Sequence, residues 1–278
     1  MRNRLLLALV AIALAGAGLG LWNSTRTTEA QGGPPGYQLP PQAREVAPNV
    51  YFIGSTVVAG RVVDGYAYIH TRPTPQAGKP LGVGGKKGGG SADPSSCYSF
   101  TSGRRWNSPE DYIIHPDGVL TADLVNGAVS RWEGAAAIDD IFLAASTSNG
   151  PAGDINSMDN LNEVSFGPIN DPGVIAVTYT WAYRGPPSVR EILEWDMRID
   201  SNLEWGWGIT EPNDAFPRGG MNIDSIVTHE LGHAAGMGHT DTSTLCQPAT
   251  MYPYIDFGDA SKAILDIGDT TGIAKLYN

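Results

Sequence analysis

Apolar residues recur at helical spacing between Thr121 and Gly134. Those that share one face of the predicted helix are Leu124, Val125, Ala128, Val129 and Trp132. Thr121 is a suitable N-cap, because its hydroxyl can accept a hydrogen bond from the first helical turn, and Gly134 is a suitable stop. The pattern predicts an amphipathic helix over residues 121–134.

Shorter apolar runs after this helix predict β-strands, because they are rich in β-branched and aromatic residues and end at turn residues. The runs are Ile141–Ala144, Val164–Phe166, Val174–Trp181 and Ile192–Ile199. Two more helices are predicted at Asn222–Ala235 and Asp269–Tyr277. One helix backing a twisted sheet, with further helices after it, is typical of an α+β fold.

The N-terminal extension, residues 31–96, combines linkers with a short β-rich stretch. Residues 31–42 and 73–96 are rich in glycine and proline and predict linkers, the second with an exposed place for cleavage at Lys86-Lys87. Alternating runs between Val46 and Thr71 predict two or three strands. These strands are too few for a core of their own, so we expect the extension to dock on the main domain or to act as a pro-segment.

Residues 1–30 have the pattern of an export signal. Arg2 and Arg4 precede an apolar run from Leu5 to Trp22, after which the chain turns polar. The run is long for a cleaved signal and just long enough to span a bilayer. Two alternatives therefore stay open, cleavage near Ala30 or an uncleaved N-terminal membrane anchor. In both, the rest of the chain lies outside the cytoplasm, secreted or held at the surface.

Size, charge and cysteines narrow the function classes. The 278 residues suffice for one mid-sized catalytic domain, predicted over 97–278, plus the extension. A formal net charge of −11 argues against nucleic acid and anionic membrane surfaces as partners. Cys97 and Cys246 are the only cysteines. In an oxidising compartment such an isolated pair predicts a disulfide.

A histidine motif carries the candidate chemistry, reading His-Glu-Leu-Gly-His-Ala-Ala-Gly-Met-Gly-His from His229 to His239. His229 and His233 are four residues apart, so on a helix both imidazoles face a single metal. Gly236 stands where a helix can end on a left-handed residue, which lets His239 return to the site. Three histidine ligands leave an open position, as in catalytic zinc sites, and Glu230 can serve there as a general base.

The motif resembles that of the metzincin metallopeptidases. Ala-Thr-Met-Tyr-Pro around Met251 is similar to the methionine turn that metzincins place beneath the zinc. The residue after the third histidine helps to mark the metzincin subfamily, and Thr240 in this place resembles the pattern of the matrixins, the matrix metalloproteinase family. The ending Leu265–Tyr277 resembles the closing helix of that catalytic domain, apart from Gly268, where the family usually has an aspartate. The resemblance covers about residues 97–278.

The resemblance implies a matrixin-like catalytic domain with a twisted, mostly parallel sheet, a backing helix, a zinc helix and a C-terminal helix. It implies an endopeptidase that binds one catalytic Zn²⁺ and hydrolyses polypeptides, with Met251 as an apolar floor. In matrixins the substrate lies along a cleft beside an edge strand and adds itself to the sheet, and Val174–Trp181 or Ile192–Ile199 are the candidates for the strands near that cleft. We expect a monomer.

Several family features are altered or missing. Cys97 lies in Asp-Pro-Ser-Ser-Cys-Tyr-Ser, which lacks the cysteine-switch motif, and no hemopexin-like repeat is visible up to Asn278. Only His70 and His115 lie outside the main site, so the second, structural zinc of vertebrate matrixins is not expected. Pro253 is followed by Tyr254 and Ile255, which departs from the family's Pro-x-Tyr wall of the S1′ pocket.

Two further questions stay open at the level of sequence. The loop from Asn149 to Asn162 either holds structural Ca²⁺, as comparable matrixin loops do, or is an ordinary loop rich in Asp and Asn. The alternatives to a peptidase are a zinc-binding, non-catalytic adhesin or binding module on the same scaffold, and a metallohydrolase with another substrate. Glu230 favours catalysis, because a ligand-only site has no use for this carboxylate.

Overall fold

The computed structural model describes residues 37–72, 93–101, 103–138, 140–186, 190–206 and 220–278. The predicted signal or anchor at 1–30 and most of the linker predicted at 73–96 lie outside the described residues. Among the helices of the described part, none is long and apolar enough to cross a membrane.

One eight-stranded sheet organises the fold, in the order β1-β2-β3-β8-β9-β7-β5-β6. Its strands are β1 (Arg44–Ala47), β2 (Val50–Val58), β3 (Arg61–Thr71), β5 (Tyr112–Ile114), β6 (Ala145–Thr147), β7 (Glu163–Gly167), β8 (Val174–Tyr183) and β9 (Ile192–Asp200). Two small two-stranded sheets pair β4 (Ser99–Phe100) with β12 (Met237–Gly238), and β10 (Trp205–Gly206) with β11 (Met221–Asn222). The helices are α1 (Ala122–Ala136), α2 (Ile223–Ala234) and α3 (Ile267–Tyr277).

The α+β class is confirmed, and the sheet has two parts of different character. Among the five strands from the predicted catalytic region, β9-β7, β7-β5 and β5-β6 are parallel and only β8-β9 is antiparallel. The extension adds three antiparallel strands, with β3 paired to β8. The complete sheet is therefore mixed.

Helix α1 begins as predicted but ends later. The Thr121 side chain accepts a hydrogen bond from the Leu124 amide at 3.3 Å. The helix passes through Gly134, and Ala137 provides the left-handed cap with φ of 57°. Gly134 therefore does not stop the helix, because a glycine at an exposed helical position lowers stability by only about 1 kcal/mol.

The prediction of a strand at Ile141–Ala144 is wrong, because the strand begins only after this run. The strand is β6, at Ala145–Thr147. Ile141 and Phe142 are buried core residues whose amides donate to the Glu133 carboxylate of α1, at 3.1 and 3.2 Å. Their apolar character thus reflects core packing, while a side chain satisfies the backbone that a strand would otherwise pair.

The core lies on both faces of the sheet. On one face, α2 packs against β8 and β9, α1 packs against α2, and α3 packs against α1. Trp132 and Trp195 are fully buried in this part of the core. On the other face, Ile53, Val63 and Ile69 of the extension pack against residues of β8 such as Val177. The extension therefore docks on the main domain, which is one of the two outcomes expected for it.

Cys97 and Cys246 form the predicted disulfide, across a sequence separation of 149. It joins the stretch before β4 to the loop that leads to Met251. Gly268 of α3 packs directly on Cys97, and a Cβ at this glycine would overlap the Cys97 carbonyl oxygen and lie 2.8 Å from the Cys97 Cβ. The glycine that replaces a family aspartate therefore leaves room for this half of the disulfide.

Candidate metal centre

Helix α2 and the turn after it present the three motif histidines. The Asn222 side chain caps the helix by accepting from the Ser225 amide at 2.8 Å, and the helix is buried along its whole length. Gly236 has a φ of 102°, and a Cβ there would overlap the Arg104 carbonyl oxygen. Only glycine fits this turn, which sends the chain through β12 to His239.

The Nε2 atoms of His229, His233 and His239 converge. They form a triangle with sides of 3.1, 3.1 and 3.2 Å. Two ligands of a tetrahedral zinc lie about 3.3–3.4 Å apart, for a Zn–N bond of about 2.0–2.1 Å. The triangle therefore has the size of one face of a zinc coordination tetrahedron, and these residues form a candidate metal-binding group.

The outer nitrogens of the same rings show which atoms carry the protons. The Nδ1 atoms of His229, His233 and His239 lie 2.6, 3.0 and 2.8 Å from the carbonyl oxygens of Thr250, Met237 and Pro48, respectively. A carbonyl only accepts, so each Nδ1 must be the donor. Each neutral ring then turns an unprotonated Nε2 toward the other two. Three converging lone pairs fit a cation.

Burial also keeps these rings neutral. It lowers the pKa of His229 and His233 well below the ordinary histidine value, and the neighbouring histidines lower it further. Burial lowers the pKa of His239 to about 4, against the opposing effect of its hydrogen bond to Pro48. Neutral imidazole is the form that binds a metal, so the site is prepared for one.

Glu230 lies beside the triangle with one oxygen held and the other free. Its Oε2 accepts a hydrogen bond of 2.6 Å from the Thr178 hydroxyl on β8. Its Oε1 has no hydrogen-bond partner within the described residues. Burial raises the pKa of this carboxyl to about 8, against the lowering effect of the Thr178 hydrogen bond.

His70 belongs to this centre, although the sequence places it outside the main site. The ring is buried on β3, 4.0 Å from the His229 ring between centroids, and its Nδ1 lies 3.3 Å from Glu230 Oε1. Neither ring nitrogen has a hydrogen-bond partner in the described part of the chain. The signal for it was the alternation Tyr66, Tyr68, His70 along one strand, which puts these side chains on one face.

Met251 lies beneath α2, where the sequence predicts it. Its side chain packs against Gly232, where an added Cβ would overlap the Met251 sulfur. The turn is fixed from α3, since the Asp269 carboxylate accepts from the Thr250 amide at 2.7 Å and from the Met251 amide at 3.1 Å. The sulfur thus faces the helix backbone, as expected of an apolar floor.

A second group of acidic side chains lies at the base of the Asn149–Asn162 loop. Glu194 accepts from the amides of Asp159 and Asn160, at 2.9 and 2.6 Å. Glu163 is 2.7 Å from the His115 ring and is paired in register with Asp196. No sequence motif groups these three carboxylates, because they come from β7 and β9 and only strand pairing brings them together.

The acidic group is electrostatically unbalanced. One oxygen of Asp196 has no hydrogen-bond partner among the described residues. Burial raises the pKa of Asp196 to about 9, and the neighbouring carboxylates of Glu194 and Glu163 raise it further. The pKa of Glu194 is raised to about 7, again chiefly by burial.

Comparison with known proteins supports the resemblance seen in the motifs. The family model described as Matrixin matches residues 163–278. Matrilysin of Homo sapiens is 43% identical over 58 residues, 21% of this chain and 20% of that protein. Metalloendoproteinase 1-MMP of Arabidopsis thaliana is 35% identical over 57 residues, 20% of this chain and 14% of that protein. Matrix metalloproteinase-25 of Mus musculus is 29% identical over 83 residues, 30% of this chain and 12% of that protein.

These matches are local, since the matched stretch spans a fifth or less of each relative's length. The residues that match the family model include β7, β8, β9, α2 with its histidines, and α3. The chain therefore contains a matrixin-like metallopeptidase domain.

Proposed function

We propose that this protein is a zinc-dependent endopeptidase that hydrolyses internal peptide bonds of proteins. The observation that carries the proposal is the convergence of three unprotonated Nε2 atoms beside a buried carboxylate with one free oxygen. The similar proteins named matrilysin and metalloendoproteinase support the same reaction class.

His229, His233 and His239 would hold the zinc through Nε2, and Glu230 would act as the general base. A zinc ion bound there would polarise the scissile carbonyl and lower the pKa of its water. Thr178 holds Glu230 Oε2, so that Oε1 is the oxygen free to accept the water proton. The protonated carboxyl can then return this proton to the leaving amine. No serine or cysteine nucleophile is required.

The free oxygen of Glu230 favours this reading over a zinc-binding adhesin. A carboxylate that only shaped the site would be fully hydrogen-bonded, because an unpaired buried oxygen costs about 1–3 kcal/mol. A group that exchanges a proton with water and substrate needs one oxygen left free.

We also propose export and a structural calcium ion. The Cys97–Cys246 disulfide supports an oxidising compartment outside the cytoplasm. For calcium, the support is the proximity of the carboxyl groups of Glu163, Glu194 and Asp196, whose negative charge a nearby divalent cation would partly balance.

The deciding experiment compares the wild type with Glu230→Gln on an unfolded protein substrate. Both proteins are loaded with zinc and nicked in the linker by a lysine-specific protease, which is then inhibited. We expect the substitution to lower the rate of cleavage by about 10²–10⁴-fold, because it removes the proton acceptor. Zinc content should be unchanged, and a chelator should abolish wild-type cleavage. Equal cleavage by the two proteins would refute the proposal.

A further inference from the structure

Strand β3 occupies the sheet edge at which a polypeptide substrate would bind. Without the extension, β8 would be the edge strand of the five strands from the predicted catalytic region. It is also the strand beside the catalytic centre, since Thr178 donates to Glu230. In this structure β3 pairs with β8 in antiparallel register from Val63 to Thr71. The matrixin resemblance suggested a free edge here, and the protein's own chain fills it.

Strand β3 also has partners on the side away from β8. Thr71, at the end of β3, forms a parallel bridge with Tyr254, just after the methionine turn. On that side β3 pairs with β2 up to Tyr68, and only its last residue, Thr71, lies between β8 and Tyr254. The continuous pairing with β8 from Val63 to Thr71 is the contact that a peptide makes when it adds itself as a strand to a sheet edge.

Each histidine of the triangle is covered by a different residue of the extension. The Tyr68 ring stacks on His233, with centroids 4.2 Å apart. The His70 ring lies over His229, and Pro48, between β1 and β2, contributes the carbonyl that accepts from His239. Side chains on the opposite face of β3, such as Ile69, anchor the strand in the core on the other face of the sheet, where Val177 lies.

The cover closes the centre to a substrate. His229, His233 and Glu230 have 0% exposed surface, and His239 has 5%. His70 lies 3.3 Å from the oxygen of Glu230 that would accept the water proton. A scissile peptide bond cannot reach Glu230 while β3 stays in place.

We propose that residues 37–72 are an internal inhibitor of the peptidase. Strand β3 takes the place of a polypeptide substrate on β8, and Tyr68 and His70 seal the metal centre. The inference rests on the proposed function, and it assigns regulation to a strand and a histidine. Activity requires the release of this segment from β8.

The test holds β3 on β8 by a disulfide in the full-length, zinc-loaded chain. Val63 and Tyr183 are directly opposed on β3 and β8, at the end away from the metal centre. Opposed residues have Cβ atoms about 4.5–5.5 Å apart, close to the spacing that a disulfide spans. The test protein is therefore Val63→Cys/Tyr183→Cys, with its disulfides mapped by mass spectrometry.

The matched control ties the extension to itself. Val57 and Val62 are opposed on β2 and β3, and both side chains are exposed. Val57→Cys/Val62→Cys therefore adds a disulfide without fixing β3 to β8. All proteins, including the wild type, are nicked at Lys86-Lys87 by a lysine-specific protease, which is then inhibited, and are measured with and without reductant.

Two readouts separate the inhibitor from the enzyme: cleavage of an unfolded protein, and transfer of zinc to a chromogenic chelator. After nicking, we expect both rates to rise at least about tenfold, the factor that corresponds to about 1.4 kcal/mol, in the wild type and in the control. The tether between β3 and β8 should suppress both rises until it is reduced. His70→Ala, without nicking, should also accelerate zinc transfer.

The outcomes distinguish the two proposals. Rapid cleavage and zinc transfer by the nicked, oxidised β3–β8 tether would overturn the internal inhibitor and leave the peptidase standing. Zinc transfer that nicking and reduction leave unchanged in every protein would also overturn it. If reduction of the tether releases zinc transfer while no protein cleaves the substrate, the closure stands and the proposed peptidase activity fails.

Discussion

At the scale of single residues, small side chains set the distances in the metal centre. Gly232, between the first two histidines, is pressed against both Met251 and Trp132. Gly236 lets the helix end where the chain must pass the Arg104 carbonyl. These contacts explain why the histidine motif requires glycine at two positions that take no part in the chemistry.

Gly232→Ala is expected to lower the free energy of unfolding by about 1–3 kcal/mol, because the added methyl group overpacks the core. An added Cβ would lie 2.7 Å from a ring atom of Trp132 and overlap the Met251 sulfur. Denaturant unfolding measures the change. Gly134→Ala is the matched control, because an added Cβ there would meet no neighbouring atom within 4 Å. Alanine should stabilise this exposed helical position. Similar stability changes in the two variants would contradict the prediction.

Thr178→Val is expected to reduce turnover of the nicked enzyme by about tenfold, through the loss of a hydrogen bond to a charged group. The Thr178 hydroxyl lowers the pKa of Glu230, so its removal raises this pKa. The acidic limb of the rate profile should therefore move to higher pH. Thr178→Ser, which keeps the hydroxyl, should restore both turnover and profile. A profile unchanged in the valine variant would show that Thr178 has only a packing role.

Much of the candidate site could be predicted from the sequence, because its donors lie within eleven consecutive residues. Helical geometry brings His229 and His233 together, and Gly236 returns His239. The alternation Tyr66, Tyr68, His70 indicates that these side chains share one face of a strand. It does not indicate that this face covers the histidine triangle, since that depends on the pairing of β3 with β8. Tertiary pairing of strands distant in sequence leaves no mark in a local pattern.

At the scale of elements, the strands deliver charged groups to shared positions. Strands β7 and β9 run parallel, with Glu163 beside Asp196 in register. A buried carboxyl with a raised pKa binds a proton when the chain folds at a pH between its unfolded and folded pKa values. Raising the pH through this range therefore destabilises the folded state. The stability of this region consequently depends on pH and on any cation that replaces the protons.

Without added calcium, the melting temperature is expected to fall as pH rises from about 7 to 9, above the range in which the buried histidines titrate in the unfolded chain. Glu194 and Asp196 have pKa values of about 7 and about 9 in the folded state, above those of the unfolded chain. Between these limits the folded state binds more protons, so stability decreases with rising pH. Added Ca²⁺ should reduce the slope and raise the melting temperature most at high pH; the part due to Glu230 should remain. Asp196→Asn should weaken both effects; the same slope in this variant would exclude the cluster as the cause.

The limits of prediction at this scale have a physical cause. The run Ile141–Ala144 has the composition of a strand, yet Glu133 satisfies the amides of its first two residues. Helix α3 begins at Ile267 rather than Asp269, because Asp266 caps it. Apolar composition indicates burial reliably, but the identity of the hydrogen-bond partner decides the element.

At the scale of the whole molecule, one covalent link spans most of the predicted catalytic domain. Cys97 and Cys246 enclose β4 to β12, α1 and α2. The composition and the export pattern were enough to predict the pair. The close packing of Gly268 on Cys97 was not predictable, because it depends on where α3 ends up.

Replacing both cysteines by serine is expected to lower the free energy of unfolding by about 2–5 kcal/mol, since the link restricts a long loop in the unfolded chain. Denaturant unfolding of the oxidised wild type and the double variant tests this. Reduced wild type should unfold like the variant. If oxidised and reduced wild type unfold at the same denaturant concentration, the disulfide contributes nothing measurable.

Because His239 donates a hydrogen bond to the Pro48 carbonyl, zinc binding by His239 and docking of the extension are thermodynamically coupled. Whatever factor the docked extension adds to zinc affinity, bound zinc must add to docking. The open form, which admits substrate, is then the form that loses zinc most readily. Turnover is therefore expected to depend on the free zinc concentration of the surroundings, so the supply of the ion would itself set how long an opened molecule stays active.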